Sequence, residues 1–497
     1  MNKYISPGLI KVFIANVAVV VVEFLYVAVR VKYLNEQIPL WYSMPWGIYQ
    51  LASRGKLFLV PVISLGIIAG SVVFAYLAKK RFLRYGEEFL YVFASLCNLL
   101  LAFAIYRTVQ IAAVPFPPII NPGLVSLLPP MVFSALVVYA ITPKLLAIFK
   151  ERGIVTDPQI HKHPGMLLTK PAARGGGIVF TLGILISAVF FLRFTPIIGW
   201  LLAAISAGSI LGLLDDIQNT NPIKKLKFIE NPINRILLQG LIVLPLVLAG
   251  VQILFITNPF GGVIYFDHFK LSLLGITVAP LAIAVTIVWV LWIMNVLSWS
   301  NGVDGQFAGI VGIAAIILAL ITMRETPLNL QQKDMLMLAA LTAGAALGTL
   351  PHTWHPSKML WGFGAVSAGI LLATISTLTK AKIAAALIVL AIPFLDGMIT
   401  VVKRIIRGKS PMKGDRGHLH HILLERGWST QKVAMFYWLS TLVTGFIGIK
   451  SADKNPMLIA LTVGGFVAFI IIIVNIKKPR SKNGASSITQ LAEDGGK

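Results

Sequence analysis

Apolar runs of roughly 18–25 residues, the length a helix needs to cross a bilayer, recur along the whole chain and limit its fold more than any other feature. The runs are continuous and lack the alternation of a membrane β-barrel. Hydrophobic residues make up 57% of the sequence and charged residues only 12%, about half the charged share of a soluble domain. The sequence therefore predicts an all-α, polytopic transmembrane helical bundle and excludes a soluble fold.

Fourteen spans are predicted, and an even number places both termini on the same side of the membrane. With the N-terminus inside, the inside loops carry most of the Lys and Arg residues, which is typical of cytoplasmic loops. Both termini are therefore predicted to be cytoplasmic. The predicted spans are 8–29, 57–78, 88–112, 126–148, 175–193, 197–214, 235–256, 276–297, 307–323, 334–350, 361–378, 381–399, 432–449 and 456–476.

A change in loop composition divides the chain into three regions. Residues 1–120 have ordinary loops and about three spans, whereas the long inside loops of residues 125–476 are dense in polar motifs. Residues 477–497 are polar and are predicted to be a disordered cytoplasmic tail. The outside segment 257–274 has two glycines between β-like runs, which predicts a small hairpin.

The net charge of +24 is compatible with two kinds of partner. Basic proteins bind nucleic acid, but basic cytoplasmic loops of membrane proteins also face anionic lipid headgroups. With so many apolar runs, the lipid bilayer is the predicted partner and nucleic acid is not expected. The single cysteine, Cys97, lies in an apolar run, so no cysteine-based metal cluster is expected.

Asp215 and Asp216 follow an apolar run, at the predicted membrane edge. Carboxylates are costly there unless they are used or paired. One interpretation is a magnesium and phosphate site, because hard cations take oxygen ligands. The other is a solvated helix end whose acids pair with the nearby lysines Lys224, Lys225 and Lys227.

A polar turn follows the predicted span at 276–297. Asn301, Gly302, Asp304 and Gly305 can present backbone N–H groups and side-chain oxygens to a nucleotide or a metal ion. The alternative is an ordinary turn between two helices, with Asp304 as the N-cap of the second.

A third stretch combines Lys170 and Arg174 with the glycine run 175–177. The side chains are fixed cations, and glycines allow a backbone to approach a ligand closely. Glycines are also common at the start of membrane helices, so the run alone is weak support.

The fourth stretch, 401–432, is strongly basic and holds His418, His420 and His421. A short helix is predicted from after Asp415 to Gly427, with His418 and His421 on one face. Histidines and cations suit a diphosphate, although a basic helix lying on anionic lipid has the same pattern. All four stretches fall on one predicted side, which favours a common cytoplasmic site.

Three of these stretches carry a resemblance to a known family. The run Pro393-Phe-Leu-Asp396…Arg404…Gly408-Lys-Ser-Pro411…Asp415-Arg-Gly-His418-Leu-His420-His421…Gly427 resembles a family histidine loop, Asp215-Asp216-Ile-Gln-Asn219 resembles its D-D-x-x-D/N motif, and Thr169 to Ile178 resembles its P-R-x-G-G loop. Residues 125–476 are thus similar to the polyprenyl-phosphate N-acetylhexosamine-1-phosphate transferases of glycosyltransferase family 4.

The resemblance implies a magnesium-dependent enzyme. It would transfer a sugar-1-phosphate from a UDP-sugar to a polyprenyl phosphate such as undecaprenyl phosphate at the cytoplasmic face of the inner membrane, releasing UMP and starting cell-envelope glycan synthesis. The residues expected to act are Asp215, Asp216, Asp304 and His420 in catalysis, Asn301 and Asp216 at the metal, and Lys170, Arg174, Lys225, Asn295, Arg416, His418 and His421 in substrate binding.

The chain departs from the family pattern at four positions. Ser298 and Asn301 replace an Asn and an Asp, Thr353 replaces a nucleotide-contacting Asn, and Phe363 stands where the family has a magnesium-binding Asp. Phe cannot bind a metal ion. These departures motivate one alternative, a non-catalytic relative that binds polyprenyl phosphate or scaffolds glycan assembly. A lipid or sugar transporter is a separate alternative. The sugar, the glycan pathway and a homodimeric state stay open.

Overall fold

The computed structural model describes residues 7–41, 47–79, 85–112, 122–160, 168, 170–273, 276–324, 327–379, 382–410, 417–451 and 455–476. The predicted tail 477–497 lies outside the described residues. The chain divides into two compact units, residues 1–140 and 141–497.

In its described part, the first unit is helical with one small hairpin. Asn16 of the first helix donates from Nδ2 to Ser95 Oγ (2.7 Å), and Asn98 Nδ2 donates to Asn16 Oδ1 (3.1 Å). These bonds satisfy amide N–H donors among apolar side chains, where an unpaired donor is costly. Its elements are α1 (Pro7–Arg30), β1 (Gln37–Pro39), β2 (Leu51–Ser53), α2 (Leu59–Lys79), α3 (Tyr85–Ala112) and the first part of α4 (Pro122–Glu151).

The second unit is a larger helical bundle. Its helices are α5 (Gly176–Phe191), α6 (Pro196–Thr220), α7 (Pro232–Leu248), α8 (Pro280–Trp299), α9 (Gln306–Met323), α10 (Leu330–Thr353), α11 (Val366–Leu378), α12 (Lys382–Val389), α13 (Ala391–Ile406), α14 (Leu419–Glu425), α15 (Thr430–Ser451) and α16 (Pro456–Ile476). Its strands are β3 (Val155–Thr156), β4 (Ala172–Arg174), β5 (Phe255–Thr257), β6 (Val263–Tyr265), β7 (Leu271–Leu273), β8 (Ile276–Val278) and β9 (Met359–Leu360).

Ten helices of the described chain are long and apolar enough to cross a membrane. Two bent pairs raise the number to twelve if each is one span: Lys224–Glu230 with α7 (86°), and α12 with α13 (85°). Two shorter apolar helices, α5 and the segment Gly362–Leu378, coincide with further predicted spans. The all-α, polytopic membrane fold is confirmed, whereas the number of spans and the side of the termini stay predictions.

The core of the second unit lies around α9, α10 and α11. Residues 366–376 of α11 are all buried, and α9 is buried over most of its length. A helix that is apolar on every side belongs in the interior of a bundle, because it has no face for water. Helices α5, α6, α8 and α15 pack around this centre.

The strands of the second unit are short and form two hairpins and one three-stranded sheet. The predicted hairpin at 257–274 is confirmed: β5 pairs antiparallel with β6, and Gly261 and Gly262 turn between them with φ of 112° and 80°. A second hairpin, β7–β8, follows, so the predicted span 276–297 begins only at Pro280.

A three-stranded sheet brings distant loops together, with strand order β3-β4-β9. Strand β4 pairs antiparallel with β3 and parallel with β9, and Arg174 lies opposite Leu360. The loop before α5 and the loop after α10 therefore meet at one end of the bundle.

Candidate functional site

Asp215 and Asp216 end the apolar part of α6 and are both buried. Successive helical side chains point about 100° apart, so the two carboxylates meet different neighbours. Asp216 Oδ1 accepts from Arg174 Nη1 at 3.0 Å, and Asp215 Oδ1 accepts from Arg235 Nη1 at 3.0 Å. The partners are thus arginines and not the nearby lysines, so the alternative of a solvated helix end paired with those lysines is wrong. Pairing is what makes two buried charges tolerable.

Arg174 is aimed at Asp216 by the small sheet. It is the last residue of β4, and its Nε donates to Thr156 Oγ1 on β3 at 2.6 Å. Two of its donors are thus occupied by protein oxygens, and the planar guanidinium is held in one orientation.

The glycine run after Arg174 serves packing. A Cβ on Gly177 of α5 would lie 2.4 Å from the Cα of Gly364, and a Cβ on Gly212 of α6 would also lie 2.4 Å from that atom. The two glycines therefore let α5 and α6 close on the backbone at 364. The expectation that the run approaches a ligand is wrong for Gly177, because another part of the chain occupies that space.

The acidic pair lies one turn of α6 beyond Gly212. The close packing at Gly212 therefore places Phe363 against Asp216. The Phe363 N–H donates to Asp216 Oδ1 at 3.3 Å, and the Arg235 guanidinium lies over the Phe363 ring, 5.2 Å from its centroid. A backbone donor and an aromatic face thus lie where the family resemblance places a carboxylate. The second oxygen of Asp216, Oδ2, is buried and accepts no hydrogen bond from the described residues.

The turn after α8 joins the same site. Asn301 Nδ2 donates to the Gly362 carbonyl oxygen at 3.2 Å. Asp304 Oδ2 contacts His355 Nδ1 at 2.8 Å and accepts from the Ser357 N–H at 3.2 Å. The alternative of Asp304 as a helix N-cap is wrong, because Gly305 occupies that position with φ of 75°.

The three histidines form one cluster around a short helix. α14 begins at Leu419, later than predicted, because Asp396 of α13 caps it: Asp396 Oδ1 accepts from the Leu419 N–H at 2.7 Å. Asp396 Oδ2 also contacts His418 Nδ1 at 3.1 Å. His418 therefore precedes the helix and does not share a helical face with His421.

His420 lies at the centre of this cluster. Its ring stacks on that of His418 (5.6 Å between centroids) and contacts that of His421 (4.3 Å). It also packs on Gly302, where a Cβ would lie 2.2 Å from His420 Nε2. Burial, then the charges of His421 and His418, hold the pKa of His420 well below its usual range. His420 is therefore a neutral ring that links the histidine cluster to the turn after α8.

We expect the protein to lose stability as the pH falls below about 6.5. Unfolded His420 takes up a proton near that pH and the folded residue does not, so the free energy of unfolding falls by up to about 1.4 kcal/mol per pH unit. Thermal unfolding of the purified protein in detergent at pH 7.5 and 5.5 measures the loss. His420→Gln should reduce it, and the exposed control His268→Gln should not; equal losses in both variants would contradict the assignment.

A cavity of about 240 Å³ lies beside the acidic pair. Arg174, Asn301, Asp304 and Thr353 line it, with Trp361 and Met359. Arg174 is the link between the two features, since it both lines the cavity and binds Asp216.

The other predicted residues have different surroundings. Lys170 and Lys225 are exposed. Asn295 Nδ2 donates to Gln239 Oε1 at 2.8 Å, between α8 and α7. Arg416 lies outside the described residues.

Three residues of the site were not predicted from the sequence: Arg235, His355 and Asp396. Arg235 stands in a segment with no recognised motif, and His355 lies in a run that was compared with the family pattern only at Thr353 and Phe363. Asp396 was part of the histidine-loop resemblance, but its spacing gave no sign that it caps α14 from 23 residues away.

Comparison with known proteins identifies the class of this membrane bundle. The sequence profile of glycosyl transferase family 4 matches residues 197–380, which contain Asp215, Asp216, Asp304 and Phe363. The histidine cluster lies outside that match.

Curated relatives cover more of the chain. It is 27% identical over 382 residues to the decaprenyl-phosphate N-acetylglucosaminephosphotransferase of Mycobacterium tuberculosis (68% of this chain, 87% of the relative). It is 25% identical over 355 residues to the probable undecaprenyl-phosphate N-acetylglucosaminyl 1-phosphate transferase of Bacillus subtilis (69% and 88%). It is 28% identical over 294 residues to the phospho-N-acetylmuramoyl-pentapeptide-transferase of Staphylococcus aureus (55% and 83%). The chain is a multi-pass membrane enzyme similar to these phospho-sugar transferases, and its residues 197–380 match the glycosyl transferase family 4 profile.

Members of this family are metal-dependent in general. Among the described residues, no group of three or more His, Cys, Asp or Glu side chains could hold a metal ion. Asp215 and Asp216 are each bound to an arginine, and the unpaired Asp216 Oδ2 is buried. The described residues therefore do not form a metal site of their own.

Proposed function

We propose that the chain transfers an N-acetylhexosamine-1-phosphate from a UDP-sugar to a membrane polyprenyl phosphate, releasing UMP. The names of the relatives in Mycobacterium, Bacillus and Staphylococcus support this activity. The observation that carries it is the position of Arg174, which joins the buried Asp216 to a cavity lined by Asn301 and Asp304.

The reaction is a displacement at phosphorus. An oxygen of the polyprenyl phosphate forms a bond to the β-phosphorus of the UDP-sugar, and the bond from that phosphorus to the oxygen bridging the two phosphates breaks. The bridging oxygen leaves with UMP, and the product is a polyprenyl-diphosphate sugar. The attacking oxygen is already anionic, so the main requirements are positioning and the offset of repulsion between two phosphate groups.

Arg174 and Arg235 are suited to that task. Arg174 uses Nε and Nη1 for Thr156 and Asp216, and its Nη2 makes no bond to the described residues. Arginine donors in a fixed fork bind phosphate oxygens well. Asp215 and Asp216 then act by orienting the two guanidinium groups toward the reacting phosphates.

The turn after α8 is proposed to face the nucleotide. Asp304 and Asn301 line the cavity, and His355 holds the Asp304 carboxylate in place. Carboxylate and amide groups recognise the hydroxyls and N–H groups of a nucleoside by hydrogen bonding. Thr353, at the position of a family Asn, offers a smaller hydroxyl on the same cavity wall.

Magnesium is the proposed divalent cation. When bound it would offset the negative charge of the phosphates. The basic loops favour a site on the cytoplasmic face of the inner (plasma) membrane. The alternatives of a non-catalytic relative and a transporter gain no support from the comparisons.

The test is UMP release by purified protein in nanodiscs that contain undecaprenyl phosphate. We expect release with at least one UDP-N-acetylhexosamine, dependent on the lipid. Arg174→Lys should lower the rate by about 10–100-fold, because a lysine cannot hold Thr156, Asp216 and a phosphate at once. Arg193→Lys is a matched control, since Arg193 forms a similar pair with Asp334 (2.9 and 2.8 Å) away from the cavity. Absence of UMP with every UDP-sugar would contradict the proposal.

A further inference from the structure

Each of the two buried aspartates is neutralised by an arginine. Together the two ion pairs present no net negative charge to a cation. Each buried carboxylate forms an ion pair at 3.0 Å, Asp216 with Arg174 and Asp215 with Arg235. Both arginine side chains are about a quarter exposed, so they lie on the open side of the buried carboxylates. A divalent cation approaching from that side meets two positive charges first, and the repulsion is strong in a poorly solvated site.

The other carboxylate oxygen of each aspartate is also inaccessible to a cation: one accepts a hydrogen bond and one is buried. Asp215 Oδ2 accepts from Asn219 Nδ2 at 2.9 Å. Asp216 Oδ2 is buried against Gly362, where even a Cβ would come within 1.9 Å of that oxygen. Gly362 has a φ of 60° and is followed by Phe363, so this tight turn requires glycine.

Phe363 also contacts both ion pairs of the site. Its N–H donates to Asp216 Oδ1, and its ring carries the Arg235 guanidinium on its face. A cation–π contact of this kind stabilises the arginine in the position where it neutralises Asp215. A carboxylate at 363 would instead attract Arg235 or provide a third metal ligand.

We propose that this chain binds no divalent cation by itself and takes one up only together with the diphosphate of a nucleotide substrate. Magnesium is commonly held by one or two carboxylates plus substrate phosphates. Here Arg174 and Arg235 stay paired with the carboxylates and hold the phosphates, and the phosphate oxygens supply the ligands that the ion requires. The inference rests on the proposed function, because it requires a UDP-sugar site in the cavity beside Arg174.

Mn²⁺ is the probe, because it accepts the same oxygen ligands as Mg²⁺ and its free form is counted by electron paramagnetic resonance. The full chain in nanodiscs is titrated with Mn²⁺ alone and with excess UDP, and protein-free Mn²⁺–UDP is the reference. We expect protein-bound Mn²⁺ only with UDP, with apparent affinity at least about tenfold above that for Mn²⁺ alone.

Phe363→Asp should bind Mn²⁺ without UDP at least about tenfold more tightly than the wild type, since it supplies a third carboxylate. Phe363→Leu is its matched control and should remain unable to bind the ion alone. Arg235→Gln is a second variant in case Phe363→Asp does not fold; it frees Asp215 and should also gain Mn²⁺ binding without UDP.

Equal Mn²⁺ binding by the wild type with and without UDP would overturn the inference and leave the proposed transfer intact, because UMP release is measured separately. No gain of binding in either Phe363→Asp or Arg235→Gln would also overturn it. Failure to retain UDP under any condition would remove the proposed function together with the inference.

Discussion

Replacing Asp216 by Asn is expected to lower the rate of UMP release about 10³-fold, because the variant removes the charge that orients Arg174. The Asn side chain can still accept from Arg174 Nη1 and from the Phe363 N–H, the two donors on Asp216 Oδ1. The local packing is therefore retained, whereas the neutral amide leaves the guanidinium free to settle against other anions. The loss should lie in kcat, since the reacting phosphates are bound in a less productive position.

The measurement is the rate of UMP release at saturating UDP-sugar and polyprenyl phosphate, with thermal unfolding recorded for each variant. Asp267→Asn is the control: Asp267 pairs with Lys270 at 3.3 Å on the segment between the two hairpins. It should keep the wild-type rate. An Asp216→Asn protein that keeps the wild-type kcat would falsify the role assigned to Asp216.

The positions of most helices could be predicted from the sequence because hydropathy alone determines which segments enter a bilayer. Local geometry that depends on tertiary contacts could not. The sharp bend between α12 and α13 lies within a continuous apolar run, at Leu390. Pro393 in the first turn of α13 is compatible with a new helix starting there, but it does not fix the angle of the bend. The three-stranded sheet joins strands of two or three residues, too short to give a periodic signal.

Part of the site could also be predicted from the contrast between polar residues and a mostly apolar sequence. Buried charges at the edge of a membrane are rare, so Asp215, Asp216 and Arg174 stood out against an apolar background. The pairing of Arg174 with Asp216 spans 42 residues and depends on where the sheet places β4. No local pattern encodes such a distance.

The glycines show how a correct motif can carry a wrong interpretation. Gly177 was expected to approach a ligand, and it approaches the backbone of Gly364 instead. Glycine marks close contact in both cases, but only the tertiary structure tells which partner fills the space. That contact places Phe363 beside Asp216, so the glycines shape the site without touching its substrates.

Replacing Asp396 by Ala is expected to lower the free energy of unfolding by roughly 3 kcal/mol and the rate of UMP release about tenfold, because one carboxylate holds the whole histidine cluster. Its two oxygens bind the Leu419 N–H and His418 Nδ1, and both contacts are buried. Without them, the first turn of α14 loses its cap and an N–H is left buried without a partner. His420, the second residue of α14, then moves away from Gly302, next to the Asn301 side chain that lines the cavity.

Asp396→Asn is the matched control, because its amide oxygen can still accept from the Leu419 N–H while the charge is lost. We expect Asn to cost about 1 kcal/mol and Ala clearly more, measured by denaturant unfolding in detergent at pH 7.5. Equal stability of the two variants would show that the cap contributes nothing. A stable Asp396→Ala protein with wild-type turnover would separate the histidine cluster from the transfer reaction, since the contact between His420 and Gly302 is the path by which the cluster acts on the cavity.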